Sequence, residues 1–164
     1  MEIIHAKVED LEAIKNLAYA TWPDTFIDIL SRKQIDYMLE LMYSFESLKE
    51  QTKKGHHFIL AKDKNEFVGF ASYELNYKNE PKTKIHKIYI LPFVQGEGVG
   101  SSLLNFIRLA ALNHNDSVIT LNVNRLNKSV LFYKNQGFNI VKEENIDIGN
   151  GFLMEDYVME KKIS

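Results

Sequence analysis

The stretch that decides the fold reads KIHKIYILPFVQGEGVGSSLL and covers residues 84–104. It begins as an apolar strand, turns at Leu91-Pro92, passes glycines at positions 96, 98 and 100, and continues as an amphipathic helix. A glycine-rich junction of this kind leaves free backbone N–H groups at the start of the helix, where the helix dipole also favours negative charge. The stretch therefore predicts a binding site for a phosphate-bearing ligand.

Two common phosphate-binding loops do not fit this junction. A nucleotide-triphosphate P-loop needs Gly-Lys-Ser/Thr at the start of the helix, but two serines follow Gly100. A dinucleotide-binding loop needs a third glycine where Leu103 stands, and an acidic residue at the end of the next strand, where this chain has asparagines. A merely structural turn is the alternative, because any tight turn with positive φ suits glycine.

Two motifs resemble the signatures of the GNAT superfamily of N-acetyltransferases. Residues 95–100, QGEGVG, resemble the Q/R-x-x-G-x-G/A loop that binds the pyrophosphate of acetyl-CoA in that superfamily. Residues 127–138, NKSVLFYKNQGF, resemble its second signature, N-x-x-[SA]-x-x-F-Y-x-x-x-G-F. Residues 21–26, TWPDTF, and the closing hairpin also resemble the bacterial branch that includes the spermine/spermidine acetyltransferases.

The hydrophobic pattern predicts a mixed α/β chain with the element order β-α-α-(α)-β-β-β-α-β-α-β-β. The proline of Trp22-Pro23 is expected to end the first helix. The resemblance implies the GNAT-type acyl-CoA N-acyltransferase fold, a mostly antiparallel twisted sheet flanked by helices. It also implies that strands four and five splay apart, so that the pantetheine arm adds to strand four as an extra edge. Strands are expected at 2–8, 57–62, 66–77, 84–91, 117–124, 138–148 and 152–161, and helices at 10–20, from 31, 44–55, 98–113 and 127–137.

Composition limits the class of protein. The 164 residues, 45% of them hydrophobic, predict one domain over residues 1–164. The net charge of −2, with no basic run beyond Lys53-Lys54, argues against nucleic acid as a partner. The absence of cysteine excludes disulfides, thiolate metal sites and a cysteine nucleophile. A charged N-terminal segment and the lack of a long apolar run predict a cytoplasmic protein with no membrane partner.

Acetyl transfer to an amine needs a deprotonated acceptor, a polarised thioester carbonyl and a proton for the leaving thiolate. The resemblance gives Tyr133 the role of general acid, and a phenol with a pKa of about 10 carries its proton at neutral pH. It places His86 where several family members have a proposed general base, and Glu74 is the rival base. The alternatives are aromatic packing for Tyr133, a hydrogen-bonded scaffold for His86 and surface ion pairing for Glu74.

The co-substrate implied by the resemblance is acetyl-CoA. Backbone N–H groups between residues 96 and 102 are expected to hold its pyrophosphate. Asn127 stands at a position that contacts the pantetheine or diphosphate arm in family members, and helix capping is its alternative role. No metal is expected, because the histidines and carboxylates form no ligand motif. The expected cofactor-binding residues are Ile88, Tyr89, Ile90, Gln95, Gly96, Glu97, Gly98, Val99, Gly100, Ser101, Ser102, Asn122, Asn127, Ser129 and Tyr133.

The acceptor pocket is expected to involve Trp22, Phe26, Tyr37 and Glu74, because aromatic faces and carboxylates attract ammonium groups. The resulting prediction is an N-acetyltransferase that moves the acetyl group of acetyl-CoA to a primary amine of a small molecule by direct attack in a ternary complex. The branch resemblance suggests a polyamine as this acceptor. A protein lysine or N-terminal acetyltransferase and a non-catalytic acyl-CoA-binding regulatory domain remain as alternatives. Homodimers are common in the resembling family, so a homodimer is also expected.

Overall fold

The computed structural model describes residues 1–164. Seven strands form one sheet in the order β1-β2-β3-β4-β5-β7-β6, and every neighbouring pair is antiparallel except β4 and β5. The strands are Glu2–His5, His57–Asp63, Glu66–Glu74, Lys82–Ile90, Val118–Asn124, Asn139–Gly149 and Phe152–Lys162, numbered β1 to β7. The helices are Leu11–Phe26, Arg32–Tyr43, Phe45–Lys53, Val99–Asn113 and Ser129–Asn135, numbered α1 to α5. The predicted fold class and element order are confirmed.

The sheet separates two hydrophobic cores. Alternate residues of a strand face opposite sides of a sheet, and β2 shows this directly. Its Phe58 and Leu60 pack under α1, α2 and α3, whereas Ile59 and Ala61 pack under α4. Both faces of the central strands are therefore buried, which explains their nearly continuous apolar sequence. None of the helices has the length and hydrophobicity needed to cross a lipid bilayer.

Helix α1 continues through Pro23 to Phe26, so the predicted helix end at Trp22-Pro23 is wrong. A proline inside a helix costs about 3 kcal/mol, because it removes one N–H donor and crowds the preceding turn. Two features offset this cost. Trp22 and Phe26 are each only 2% exposed, and burying a large apolar side chain contributes roughly 1.5–3 kcal/mol. The Thr25 hydroxyl also donates to the Thr21 carbonyl over 2.9 Å, within the same turn.

Strands β4 and β5 separate halfway along their length. Their parallel pairing runs only from Lys82 opposite Val118 to Ile85 opposite Leu121. Beyond that point, residues 87–90 of β4 pair with β3 alone and residues 122–124 of β5 pair with β7 alone. The pairing of β4 with β3 also skips His86, which is the extra residue of a bulge. The predicted splay is confirmed, and it opens a slot in the middle of the sheet.

Candidate active site

A cavity of about 750 Å³ occupies the slot between β4 and β5. Its size is in the ordinary range for a small-molecule or cofactor site. It extends from the glycine loop before α4 to a chamber under α1, α2 and the β6–β7 hairpin. Most of the residues predicted from the sequence line it, namely Trp22, Phe26, His86, Ile88, Tyr89, Ile90, Gln95, Gly96, Gly98, Val99, Gly100, Ser101, Asn122, Asn127, Ser129 and Tyr133.

Two residues of the predicted pyrophosphate loop do not line the cavity. The backbone N–H of Ser102 donates to the Gly98 carbonyl over 3.0 Å, so the helix itself already uses this donor. Glu97 has an exposed side chain, and its N–H donates to the Val94 carbonyl over 3.3 Å. Glu97 and Ser102 thus lie outside the cavity lining, and the N–H groups without a backbone partner lie between them.

Two predicted acceptor residues also lie outside the cavity lining. The Tyr37 hydroxyl donates to the Ile148 carbonyl over 3.0 Å, and its ring packs against Phe152 at 5.4 Å. Tyr37 therefore holds the β6–β7 hairpin against α2. Glu74, at the end of β3, does not line the cavity but lies within hydrogen-bond distance of His86, which does.

The glycine loop presents its free donors at the start of α4. Gly98 is the residue before the helix and has φ +83°, a conformation that side chains other than glycine rarely adopt. Because Ser102 is the first residue to donate back to the helix, the N–H groups of Val99, Gly100 and Ser101 have no partner within it. Lys128 lines the same end of the cavity. Free N–H groups, a helix dipole and a lysine together form an anion site.

Gly100 is small for a different reason. A Cβ built at this position would come within 2.9 Å of Cζ of Phe132 and within 3.2 Å of Cδ1 of Ile90. These two side chains belong to α5 and β4 and stand on the two sides of the slot. Glycine at position 100 therefore lets α4, α5 and β4 approach one another closely where the slot narrows.

Two polar side chains fix the loops at the ends of the slot by hydrogen bonds to the backbone. Gln95 donates through Nε2 to the Ile90 carbonyl over 3.1 Å, which ties the loop to the end of β4. Asn127 accepts at Oδ1 from the Ser129 N–H over 2.8 Å, so it closes the turn that leads into α5. The capping role considered for Asn127 is thus observed, and its side chain still lines the cavity.

Tyr133 of α5 places a phenol in the cavity wall. It is 5% exposed, and its ring packs edge-on against Phe132 and Phe138 at centroid distances of 5.4 and 5.7 Å. Burial raises the pKa of Tyr133 above its ordinary value. The phenol is therefore protonated throughout the neutral range and can act as a hydrogen-bond or proton donor.

His86 and Glu74 form one hydrogen-bonded unit, and the structure adds His56 to it. Nε2 of His86 lies 3.0 Å from Oε1 of Glu74, and Nε2 of His56 lies 3.4 Å from the same oxygen. The two imidazoles stack at 3.9 Å with an angle of 7° between their planes. Burial, the His56 imidazole and the Lys87 ammonium lower the pKa of His86 to about 2. Burial and the ammonium groups of Lys87 and Lys54 lower the pKa of His56 to about 4. Both rings are neutral at pH 7.

Although the sequence shows no metal-ligand motif, the fold brings three potential metal ligands together. The nearest nitrogen and oxygen atoms of His56, Glu74 and His86 all lie within 4.8 Å of one another. The two rings are nearly parallel, however, so their nitrogen lone pairs run side by side and do not meet at one point. A cation bound at about 2.0 Å in the plane of one ring would lie far out of the plane of the other. This arrangement fits a hydrogen-bonded cluster better than a metal centre.

A second polar cluster, missed by the sequence analysis, lies where β4, β5, β6 and β7 come together. The Lys84 ammonium donates to Oδ1 of Asn122. The amide nitrogen of Asn122 in turn donates to Oδ2 of Asp156 over 3.3 Å and to Oε2 of Glu144 over 3.4 Å. Asp156 is 5% exposed and is the single carboxylate among the side chains that line the cavity.

Lys87 is a further buried polar residue that the sequence did not reveal. Its ammonium donates to Oε1 of Gln51 over 2.7 Å and lies over the rings of Tyr43 and Phe58 at 5.6 and 5.9 Å. Burial lowers the pKa of Lys87 to about 8. The clue in the sequence was the basic composition of β4, which carries Lys82, Lys84, His86 and Lys87 in nine residues.

The chamber at the α1 end is lined by aromatic rings that also pack on one another. Trp22 lies 4.5 Å from Phe26 and 5.6 Å from Tyr89 between ring centroids. The indole N–H of Trp22 donates to the Tyr43 hydroxyl over 3.2 Å, so the indole is fixed. Trp22 and Phe26 thus belong to the hydrophobic core and also line the cavity.

Comparison with known proteins agrees with this geometry. The chain is 30% identical over 158 residues to the uncharacterized N-acetyltransferase YuaI of Bacillus subtilis, covering 92% of this chain and 87% of that protein. The crystal structure of the PaiA N-acetyltransferase from Thermoplasma acidophilum, in complex with coenzyme A, superposes with a TM-score of 0.80 at 25% identity over 99% of both chains. A GCN5-related N-acetyltransferase from Rhodopseudomonas palustris superposes with a TM-score of 0.83 at 19% identity, over 98% of this chain and 94% of that one, which shows the shared fold.

The sequence profile of the acetyltransferase (GNAT) domain matches residues 27–161. These residues contain the slot, the glycine loop, Tyr133 and both polar clusters, so the match includes the whole candidate site apart from the α1 wall. The chain therefore belongs to the GNAT family of acetyltransferases.

Proposed function

We propose that this GNAT acetyltransferase transfers the acetyl group of acetyl-CoA to a primary amine of a small molecule, by direct attack in a ternary complex. One observation carries the proposal. A single cavity joins the free N–H groups before α4, the buried phenol of Tyr133 and an aromatic chamber. An anionic donor, a proton source and an acceptor can thus meet in one place.

The donor is proposed to lie along the slot. Its pyrophosphate would accept hydrogen bonds from the N–H groups of Gly98, Val99, Gly100 and Ser101, with Lys128 as a nearby cation. Its pantetheine arm would run beside residues 88–90, whose edge is left unpaired by β5 and offers backbone groups to an extended ligand. The thioester would then lie at the inner end of the slot, where α5 presents Tyr133.

Tyr133 is proposed to be the general acid. When the amine nitrogen attacks the carbonyl carbon, the C–S bond breaks and the thiolate needs a proton. The burial that raises the pKa of Tyr133 also disfavours a buried thiolate and so raises the pKa of the leaving thiol. Transfer of the Tyr133 proton to the leaving thiolate is therefore favoured.

His86 and Glu74 are proposed to act as a unit beside the acceptor. The Nε2–H of His86 donates to Glu74, which leaves Nδ1 as a hydrogen-bond acceptor. Because its pKa is lowered to about 2, His86 can accept a hydrogen bond from the amine and orient its lone pair, but it is a weak base. Glu74 fixes the ring through this hydrogen bond.

The lining of the chamber and the fixed β6–β7 hairpin support a small acceptor over a protein substrate. The β6–β7 hairpin is tied to α2 by the Tyr37 bond to Ile148 and by Gln34, whose amide donates to the Leu153 carbonyl over 3.0 Å. Aromatic and apolar side chains line most of the space. A small amine with an apolar body suits a concave site with this lining.

A polyamine is the specific acceptor that we propose to test first. Residues 21–26, which resemble the polyamine-acetylating branch, lie at the wall of the chamber, where Trp22, Thr25 and Phe26 line it. The cavity lining contains one carboxylate, Asp156. This arrangement attracts the reacting nitrogen of a polyamine to Asp156 and leaves the remaining length of the chain against aromatic faces.

The test is a panel of amines, assayed by release of free thiol from acetyl-CoA. The panel contains spermine, spermidine, short diamines, apolar monoamines, a lysine-containing peptide and a peptide with a free N-terminus. We expect release with small primary amines, and a KM for spermidine that rises with ionic strength because charge is screened. Release with the peptides alone would overturn the small-molecule assignment. Acetyl-CoA binding without release for any amine would favour the non-catalytic alternative.

A further inference from the structure

Asp156 is a buried acidic group with one oxygen unused by the protein. Its Oδ2 accepts from Asn122, whereas its Oδ1 is buried and has no hydrogen-bond partner. An unpaired buried carboxylate oxygen is costly, because it has lost water without gaining a donor. Such a group indicates a partner that arrives from outside the protein.

The neighbours of Asp156 come from every strand around it. Lys84 on β4 and Arg125 after β5 are cationic, and Glu144 on β6 is acidic. The Arg125 Nε donates to the backbone carbonyl of Asp156, so this guanidinium holds the strand and leaves the carboxylate free. Burial and the Glu144 charge raise the pKa of Asp156, while Asn122, Lys84 and Arg125 act in the opposite direction.

Asp156 lies on the same side of the slot as the proposed chemistry. In the pairing of β5 with β7, it lies opposite Asn124, the last residue of β5. This part of β5 has already separated from β4. The Tyr89 hydroxyl lies near enough to both Tyr133 and Asp156 for their charges to raise the pKa of Tyr89. The proposed acid and this carboxylate both line the cavity.

We propose that Asp156 is the catalytic base, the residue that takes a proton from the attacking amine. This inference rests on the proposed function and deepens it. The neutral amine forms a bond to the carbonyl carbon, and its nitrogen becomes cationic. One N–H proton passes to the free oxygen of Asp156, the C–S bond breaks, and the thiolate takes the proton of Tyr133. A water-borne proton transfer from Asp156 to Tyr133 restores both groups, so acetyl-CoA and amine give amide and free thiol.

Asp156 suits this role better than the other acidic or basic groups nearby. Glu144 has its side chain 33% exposed and paired with Lys142 at 3.1 Å, so water and a lysine already satisfy it. His86 strongly disfavours a proton. A carboxylate with a raised pKa is both ionised at neutral pH and more basic than an ordinary aspartate, which favours proton transfer from a cationic nitrogen.

The experiment compares Asp156→Asn with a matched control, Asp116→Asn. Asp116 is also buried, at 3% exposure, but it accepts from the Thr83 hydroxyl at 2.7 Å and the Asn76 N–H at 3.0 Å, and it lies outside the cavity lining. We expect Asp156→Asn to lower kcat on the order of 10²-fold or more, with the acetyl-CoA Kd unchanged in calorimetry. The control should retain its kcat, even if its Tm falls.

A second variant separates proton transfer from folding and positioning. Asp156→Ala leaves room for a small carboxylate, so added formate should restore kcat in a saturable way, and more effectively than chloride at equal ionic strength. A kcat within about twofold of wild type in Asp156→Asn, or the lack of rescue in a folded Asp156→Ala, would overturn the assignment while leaving the proposed function intact. If the wild-type chain released no thiol with any amine, the proposed function would itself fail, and the role of Asp156 with it.

Discussion

At the scale of single residues, Tyr133 shows how one position can serve both packing and chemistry. Its ring is part of the core under α4, and its hydroxyl is the part of the side chain that is free to meet a ligand. Removing the whole side chain would leave a cavity and would confuse these two roles. Removing only the oxygen tests the chemical role by itself.

We expect Tyr133→Phe to lower kcat on the order of 10²-fold, with little change in acetyl-CoA affinity, because the thiolate would leave without its proton donor. Steady-state kinetics and calorimetry provide the two measurements. Tyr73→Phe is the control, since Tyr73 is also buried at 3% exposure but stacks on His57 and lies outside the cavity. Equal activity of the two variants would make Tyr133 a packing residue.

The sequence identified Tyr133 but missed Asp156 and His56, and the reason is physical. Tyr133 belongs to a local motif, in which a few neighbouring residues determine the position of the phenol. Asp156 reaches Asn122 only through the pairing of β5 with β7, and His56 reaches His86 only through the order of β2, β3 and β4. Partners that are far apart in the chain leave no spacing that a sequence motif can reveal.

At the scale of elements, the start of α4 depends on backbone conformation more than on space. A Cβ at Gly98 would touch nothing within 4 Å, so it is the positive φ of +83° that excludes other residues. This conformation directs the next N–H groups toward one point. A side chain at position 98 would therefore disturb the anion site without blocking it.

We predict that Gly98→Ala weakens acetyl-CoA binding about tenfold, because a shift of φ away from the left-handed region misaligns several charge-assisted hydrogen bonds. Isothermal calorimetry measures the change. Gly55→Ala is a matched control: Gly55 also has a positive φ, +97°, with nothing within 4 Å, and it lies at the end of α3. Both variants should lose about 1 kcal/mol of stability. A loss of affinity in both, or in neither, would contradict the assignment of the loop.

Helices and strands with a long periodic hydrophobic pattern were predicted well, but the end of α1 at Pro23 was not. The serine caps of α2 and α3 are observed, since Ser31 and Ser44 accept from the backbone N–H groups of Gln34 and Ser47. The end of α1 was wrong because the local cost of Pro23 was weighed without the burial that tertiary packing supplies. A local rule fails where long-range packing provides a larger free energy.

At the scale of the whole molecule, one part of the splayed sheet holds the fold together and another part opens the slot. Residues 82–85 of β4 pair with β5, Lys84 and Ile85 also pair with β3, and together they join the two halves of the sheet, while residues 86–90 leave the edge toward β5 free. The sequence alone suggested this opening only through the family resemblance. At this opening, the cluster of His56, Glu74 and His86 lies where α3, β3 and β4 meet. Protonation of the cluster is therefore linked to the stability of the entire fold.

The pKa of His56 is about 4 in the folded chain, below the value of 6.5 expected when unfolded, because burial and the Lys87 charge disfavour the imidazolium. The unfolded chain thus binds more protons between these values, so the stabilisation is complete above pH 6.5 and is lost as the pH falls toward 4. We expect His56 to account for about 1–3 kcal/mol of this acid-dependent loss. Urea unfolding at pH 7.0, 5.5 and 4.5 should show a shallower pH dependence for His56→Gln than for wild type. His5→Gln, at an exposed site, should leave the wild-type slope unchanged. An unaltered slope in His56→Gln would mean that its imidazole binds protons equally well in both states.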